Sequence, residues 1–267
     1  YEVTVQEPGL LLGQVLAERL MAAGLTAPSP TAAPGSAGAM PIVRFTGFQE
    51  TFNTTVVAAT IKTPIAVALS RCNVNSQNLY AEALLKRVGN ATSGQPGSWS
   101  NGAAVVRMKI NELLGPDAGE IGIADGSGLS RDNRVTTWVI THWLSAISNL
   151  SDTEISRIFD SSMADLDAEK IAKRFHGRKL ENRLTAKTGF INGVQGLSGY
   201  LIHPTTGRHV AYSVILNNTE KAPAGSRVKD FHEEVVMVAD KWLSRNPGSP
   251  PARRKTTPPP VVTRPTQ

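Results

Sequence analysis

The sequence predicts a mixed α/β domain, an antiparallel sheet flanked by helices. Two observations carry this. Apolar residues recur at helical spacing as far as residue 147. Beyond it, three short β-rich runs gather around a hairpin turn signal before helical spacing returns.

The elements follow in order. Residues 9–23 set Leu12, Val15, Leu16 and Leu20 at helical spacing and stop at Gly24. Residues 26–38, rich in Pro, Ala, Ser and Gly, read as a linker, and the β-branched run at 56–61 predicts a strand before Pro64. Helices are expected over 79–88, stopping at Gly89, over 103–114, closed by Gly115-Pro116, and over 135–147, with Trp138 and Trp143 directed into the core. Residues 183–188, 197–202 and 209–216 predict strands, the last two joined through Pro204-Thr205-Thr206-Gly207. Over 227–243 the helical period returns, with Phe231, Val235, Val238 and Trp242 on one face. No internal repeat is visible.

With 267 residues, 40% of them hydrophobic, the chain can build one sizeable core. The net charge of +6 would point to nucleic acid if it lay on the folded body. It does not: from Arg245 onward there are five basic and no acidic residues, leaving 23 basic against 22 acidic in the rest. Seven of the 17 prolines share that stretch, so 246–267 is expected to be a disordered Pro-rich basic tail beside a domain at 1–245. A solvated tail is the plain reading, and weak contact with anionic polymers the alternative; no nucleic-acid partner is implied. No apolar run is long enough to predict a transmembrane segment. The start at Tyr1, without Met or an export signal, predicts a trimmed chain. Cys72, the only cysteine, excludes an internal disulfide or a Cys-based zinc site and reads as a small packed residue. The five histidines show no ligand spacing, so no metal site is expected.

Two short motifs carry chemistry. Ser76-Gln77-Asn78 directly precedes a predicted helix, where the plain reading is an N-cap. Lys187-Thr188-Gly189 closes a predicted strand, where the plain reading is a strand entering a glycine turn. Glu82 and Lys86 likewise read as an ordinary i, i+4 surface pair. The surroundings shift the weighing. Asn75-Ser76-Gln77-Asn78-Leu79-Tyr80-Ala81-Glu82 resembles the Ser-Asp-Asn-Leu-Tyr-Ala-Glu segment of low-molecular-mass class C penicillin-binding proteins, the D-alanyl-D-alanine carboxypeptidase/endopeptidases. Asp125-Gly126-Ser127-Gly128-Leu129-Ser130-Arg131 resembles the loop that follows in that family, and Lys187-Thr188-Gly189 comes at the expected later place. The resemblance covers about residues 9–243.

It implies a β-lactamase/transpeptidase-like domain, N-terminally incomplete, using a serine acyl-enzyme without a cofactor on peptidoglycan stem peptides, with β-lactams as mimics and an extracytoplasmic location. By resemblance Ser76 relays a proton to the leaving amine, and Asn78 binds the substrate amide and steadies neighbouring lysines. Lys187 supplies positive charge near Ser76 and the substrate carboxylate, and Thr188 binds that carboxylate. Gly189 keeps the strand edge bare, the Phe190 N–H forms half of the oxyanion hole, and Ser127 shapes the substrate site.

One motif of the set is absent. No Ser-x-x-Lys precedes Ser76, and the single instance, Ser226-Arg227-Val228-Lys229, falls after Lys187 where the family does not place its nucleophile. A chain that starts inside an inserted region, or a catalytically silent homologue, would each look like this. Gln77, where the relatives carry Asp, is a second departure. The leading reading is therefore a carboxypeptidase/endopeptidase portion without its nucleophile. A class A β-lactamase relative and a non-catalytic wall-binding pseudoenzyme are the alternatives.

Overall fold

The computed structural model describes residues 8–24, 62–221 and 228–249. The chain divides into two compact units, Tyr1–Ile61 and Lys62–Gln267. In the first, helix α1 (Pro8–Ala22) matches the expected period and ends ahead of Gly24, which takes φ +83°. Its Leu12 and Leu16 are exposed. The linker at 26–38, the strand expected at 56–61 and most of the basic tail lie outside the described residues.

The second unit opens with helices α2 (Ile65–Asn73), α3 (Asn78–Ser93), α4 (Trp99–Leu114), α5 (Thr137–Ser148), α6 (Thr153–Ser161) and α7 (Glu169–Arg174). Strands β1 (Arg183–Ile191), β2 (Val194–Ile202) and β3 (His209–Asn217) follow as an antiparallel sheet in that order, and helix α8 (Val228–Arg245) closes the unit. Among the described residues no helix is long and apolar enough to cross a membrane.

Within the described residues the expected elements are present, with instructive shifts. Helix α3 does not stop at Gly89 but runs on to a left-handed cap at Gly94 (φ +70°). Gly89 is a contact instead, because a Cβ there would lie 2.6 Å from the Gly102 nitrogen, and one on Gly102 would lie 2.3 Å from the Leu85 carbonyl oxygen. The two glycines let α3 and α4 pack backbone to backbone. Helix α4 starts earlier than its apolar period because Ser98 and Asn101 form a reciprocal capping box. Trp143 packs against the cluster of Ile110, Ala118, Ile121 and Val139, as expected. Trp138 does not enter the core: it is 38% exposed and stacks on His142, one turn along the same helix.

Strand β2 is central and covered on both sides, which explains its nearly continuous burial. Leu197 and Leu201 face α7 and α8, joining Leu184, Ala186, Tyr212, Ile171, Val236 and Leu243. Tyr200 and Ile202 face the helical layer, packing with Leu144. The face of α8 turned to the sheet is not the Phe231, Val238 and Trp242 stripe, which is exposed; it carries His232, Val236, Asp240 and Leu243. Two helical stripes compete on this helix, and polar partners decide between them. The Asp240 carboxylate accepts the backbone N–H groups of Glu181 and Asn182, both at 3.0 Å, just before β1 begins. Arg174 of α7 donates to the Nδ1 of buried His232.

Two stability predictions follow from these buried groups. Asp240→Ala would leave the Glu181 and Asn182 backbone N–H groups near the start of β1 without their acceptor and should lower stability by about 3 kcal/mol, read as the urea midpoint. Burial first, and then the neighbouring Arg174 charge, pull the His232 imidazole down from 6.5 to about 4. The unfolded state therefore binds more protons between those values, and stability should fall as pH drops from 6.5 toward 4. Urea midpoints measured against pH should show that slope, and His232→Gln should flatten it.

Candidate active site

Ser76 stands between α2 and α3 with φ +55°, a left-handed conformation uncommon for a residue with a Cβ. It does not cap α3. The N-cap is Gln77, whose side chain makes no capping bond. The Ser76 Oγ instead accepts a hydrogen bond from the Lys187 Nζ at 2.7 Å, across 111 residues of sequence. Lys187 Nζ also donates to the Thr188 carbonyl at 2.9 Å. The two short motifs thus meet in one contact. A Ser76 oxygen that accepts from the lysine leaves its own hydroxyl hydrogen free to be donated.

Burial lowers the Lys187 ammonium from the ordinary lysine value; the Cys72 thiol nearby opposes this and the Lys170 charge adds to it. Burial raises the Cys72 thiol and the Lys187 charge holds it back, so this half-buried cysteine of α2 is a neighbour of the site as well as a packed residue. Asn78, the first residue of α3, is exposed beside Ser76.

Lys-Thr-Gly does not run into a turn. Gly189 lies inside β1, opposite Gly196, and the turn comes later at Gly193 (φ +83°). A Cβ on Gly189 would meet nothing nearer than Gly196 at 3.9 Å, so packing does not demand a glycine there. What the missing side chain leaves open is the strand edge. Ala186 N–H points outward from the sheet to the Ala164 carbonyl at 2.7 Å. Period-two alternation then turns the N–H groups of Thr188 and Phe190 to that same outer edge, where among the described residues β1 has no further partner. The Phe190 side chain is 74% exposed.

Ser127 makes no hydrogen bond to Ser76 or Lys187. Its N–H goes to Glu82 Oε1 at 3.1 Å, and its hydroxyl to Asp125 Oδ2 at 3.3 Å. Glu82 is not paired with Lys86, whose ammonium sits 3.9 Å over the Trp99 ring. A cavity of about 240 Å³ lined by Arg157, Asp160, Tyr200 and His209 lies near the opposite end of β1 and takes no part in this arrangement.

The pattern of the D-Ala-D-Ala carboxypeptidase 3 (S13) family matches residues 1–239. The chain belongs to this family. Among curated proteins, it is 29% identical over 230 residues to a D-alanyl-D-alanine carboxypeptidase of Actinomadura sp. (strain R39), covering 85% of this chain and 40% of that protein. It is 26% identical over 180 residues to carboxypeptidase DacB of Mycolicibacterium smegmatis, covering 66% of this chain and 38% of the relative. The chain therefore spans about 40% of the length of these relatives. Penicillin-binding protein 4 of Haemophilus influenzae has the same fold, with TM-score 0.54 and 21% identity over 66% of this chain and 42% of that one. This agrees with the penicillin-binding, transpeptidase-like fold expected from the motifs.

Lys187 should titrate below the ordinary lysine range, and Lys170→Ala should move its midpoint upward. Carbon-13 shifts of labelled lysine side chains followed against pH would read both effects. A midpoint unmoved in Lys170→Ala would show that the Lys170 charge takes no part in the shift.

Proposed function

We propose that this chain carries the proton-relay and carboxylate-binding half of a serine-type D-Ala-D-Ala carboxypeptidase/endopeptidase site, which recognises peptidoglycan stem peptides outside the cytoplasm. The observation that carries the reading is the 2.7 Å hydrogen bond from Lys187 to Ser76. Capping and turn formation do not account for these residues, and a lysine that orients a serine hydroxyl is what protonation of a departing amine requires.

The roles follow from position. A stem peptide lies extended along the open edge of β1 and pairs with Thr188 and Phe190. Its terminal carboxylate meets the Lys187 ammonium and the Thr188 hydroxyl. Its scissile carbonyl oxygen accepts the Phe190 N–H, and such a donor is worth about 3 kcal/mol to the transition state. Asn78 holds the substrate amide. Ser76 delivers its hydroxyl proton to the leaving nitrogen while Lys187 stabilises the charge left on Oγ. The attacking serine belongs to the Ser-x-x-Lys motif, which does not precede Ser76 in this sequence. The chain by itself therefore binds its ligand and forms no acyl-enzyme.

Calorimetric titration with an N-acyl-D-Ala-D-Ala peptide tests this directly. Lys187→Ala should weaken binding by roughly tenfold or more, since it removes a charge-assisted contact to a carboxylate. Labelled penicillin should not remain attached to the chain after denaturation. Covalent retention of the label would overturn the absence of a nucleophile, and unchanged peptide binding in Lys187→Ala would overturn the site.

A further inference from the structure

Glu82 lies one helical turn beyond Asn78 on α3 and is no part of the Ser76–Lys187 pair. Its carboxylate spans a seam. One oxygen accepts the Gly126 N–H at 3.1 Å and the Trp99 indole N–H at 2.7 Å, and the other accepts the Ser127 N–H at 3.1 Å. A carboxylate that receives two consecutive backbone N–H groups holds that stretch of chain in one orientation. Gly126 makes the approach close enough, since a Cβ there would lie 2.4 Å from the Ala81 carbonyl oxygen on α3.

The rest of the 125–131 loop is fastened from inside and from its far end. Asp125 accepts from the Gly128 N–H at 2.7 Å, the Ser130 N–H at 2.6 Å and Asn133 Nδ2 at 2.8 Å. Arg131 donates to the Asn192 carbonyl at 2.7 Å, in the turn that follows β1. The loop is thus strung between the helix that begins at Asn78 and the hairpin that carries residues 187–190. Glu82 is its attachment on the helix side. Burial pushes the Glu82 carboxyl up, but the hydrogen bonds from Ser127, Gly126 and Trp99 outweigh it and leave it below the ordinary glutamate value.

We propose that Glu82 is a positioning residue of this cleft: its carboxylate fastens the 125–131 loop to α3 and so sets the affinity of the cleft for its peptide without touching it. The identity of the peptide rests on the function proposed above; the fastening of the loop does not. Glutamine is the informative replacement. It keeps the shape but offers one carbonyl oxygen where two oxygens accept, and its amide hydrogens face backbone N–H groups.

The test uses the full chain and two readouts. An N-acyl-D-Ala-D-Ala peptide is titrated into wild type, Glu82→Gln, Gly126→Ala and Lys187→Ala, and proton–nitrogen spectra of the first two are followed against pH. Glu82→Gln and Gly126→Ala should each weaken the peptide by roughly tenfold, since they open the same seam by loss of charge-assisted bonds and by steric push. In wild type the Gly126 and Ser127 amide signals should titrate with a midpoint below the ordinary glutamate value. Peptide affinity should fall as pH drops through that midpoint, because the depressed carboxyl holds the loop only while ionised. In Glu82→Gln the Glu82 step of the amide titration should vanish, leaving only what the adjacent Asp125 carboxylate contributes, and the affinity should already be low. Wild-type affinity in Glu82→Gln, or amides that titrate unchanged in it, would overturn the proposal. If no wild-type peptide binding is found, the functional reading fails. Loss of the Glu82 step from the amide titration in Glu82→Gln then still supports Glu82 as the fastening, and its persistence refutes it.

Discussion

The hydrogen bond between Lys187 and Ser76 joins the two halves of the larger unit, and the geometry of the cleft depends on it. Lys187 belongs to an edge strand, and Ser76 to a tight corner between two helices. Neither position is imposed by its own local structure. The sheet holds β1 through nine paired residues with β2 and through the core under α8. The corner is held by α2 and α3 and keeps a left-handed serine that only surrounding structure would maintain. A contact reached by two independently supported elements is preorganised, so little rearrangement is needed when a ligand arrives.

Burial gives that contact its chemical character. The ammonium of Lys187 loses hydration, and Lys170 adds a like charge. Both effects make the lysine a readier proton donor than one in water. Ser76 shares that ammonium with the Thr188 carbonyl, so the lysine is oriented from two sides. The open outer edge of β1 lies beside it. An edge strand with unpaired N–H groups is ordinarily a liability. Here it is short, begins where Ala164 stops covering Ala186, and coincides with the glycine whose Cβ position is empty.

Carboxylates do the connecting work around this centre. Asp240 ties α8 to the approach of β1, Asp125 closes its own loop, and Glu82 ties that loop to α3. In each case an acidic side chain accepts backbone N–H groups from a segment outside regular structure, which would otherwise leave those donors unsatisfied. The loop, with its two glycines and two serines, is therefore held by specific bonds.

The sequence by itself determined most of the element types and the antiparallel hairpin sheet, because periodicity and turn residues are written locally along the chain, and the order of its motifs carried the resemblance to the family from which a meeting of Ser76 with Lys187 was expected. Tertiary structure decided what one-dimensional spacing leaves degenerate. Gly89 could stop a helix or admit a neighbour, and only the crossing of α4 selected the second. Phe231 and Val236 both lie on helical stripes of α8, and the position of Asp240 and His232 against the sheet turned Val236 inward. Trp138 kept to the surface because it stacks on His142. Helices α2, α6 and α7 were too short for their period to stand out. Glu82 looked like a partner of Lys86 at i+4, but hydrogen-bonding groups 44 and 45 residues away took its carboxylate. Cys72 gave no sign of lying beside Lys187, since a single apolar-sized residue on a nine-residue helix does not encode which strand passes it. Long-range partners compete with local ones through the same hydrogen bonds and the same burial, and the folded chain settles that competition in three dimensions.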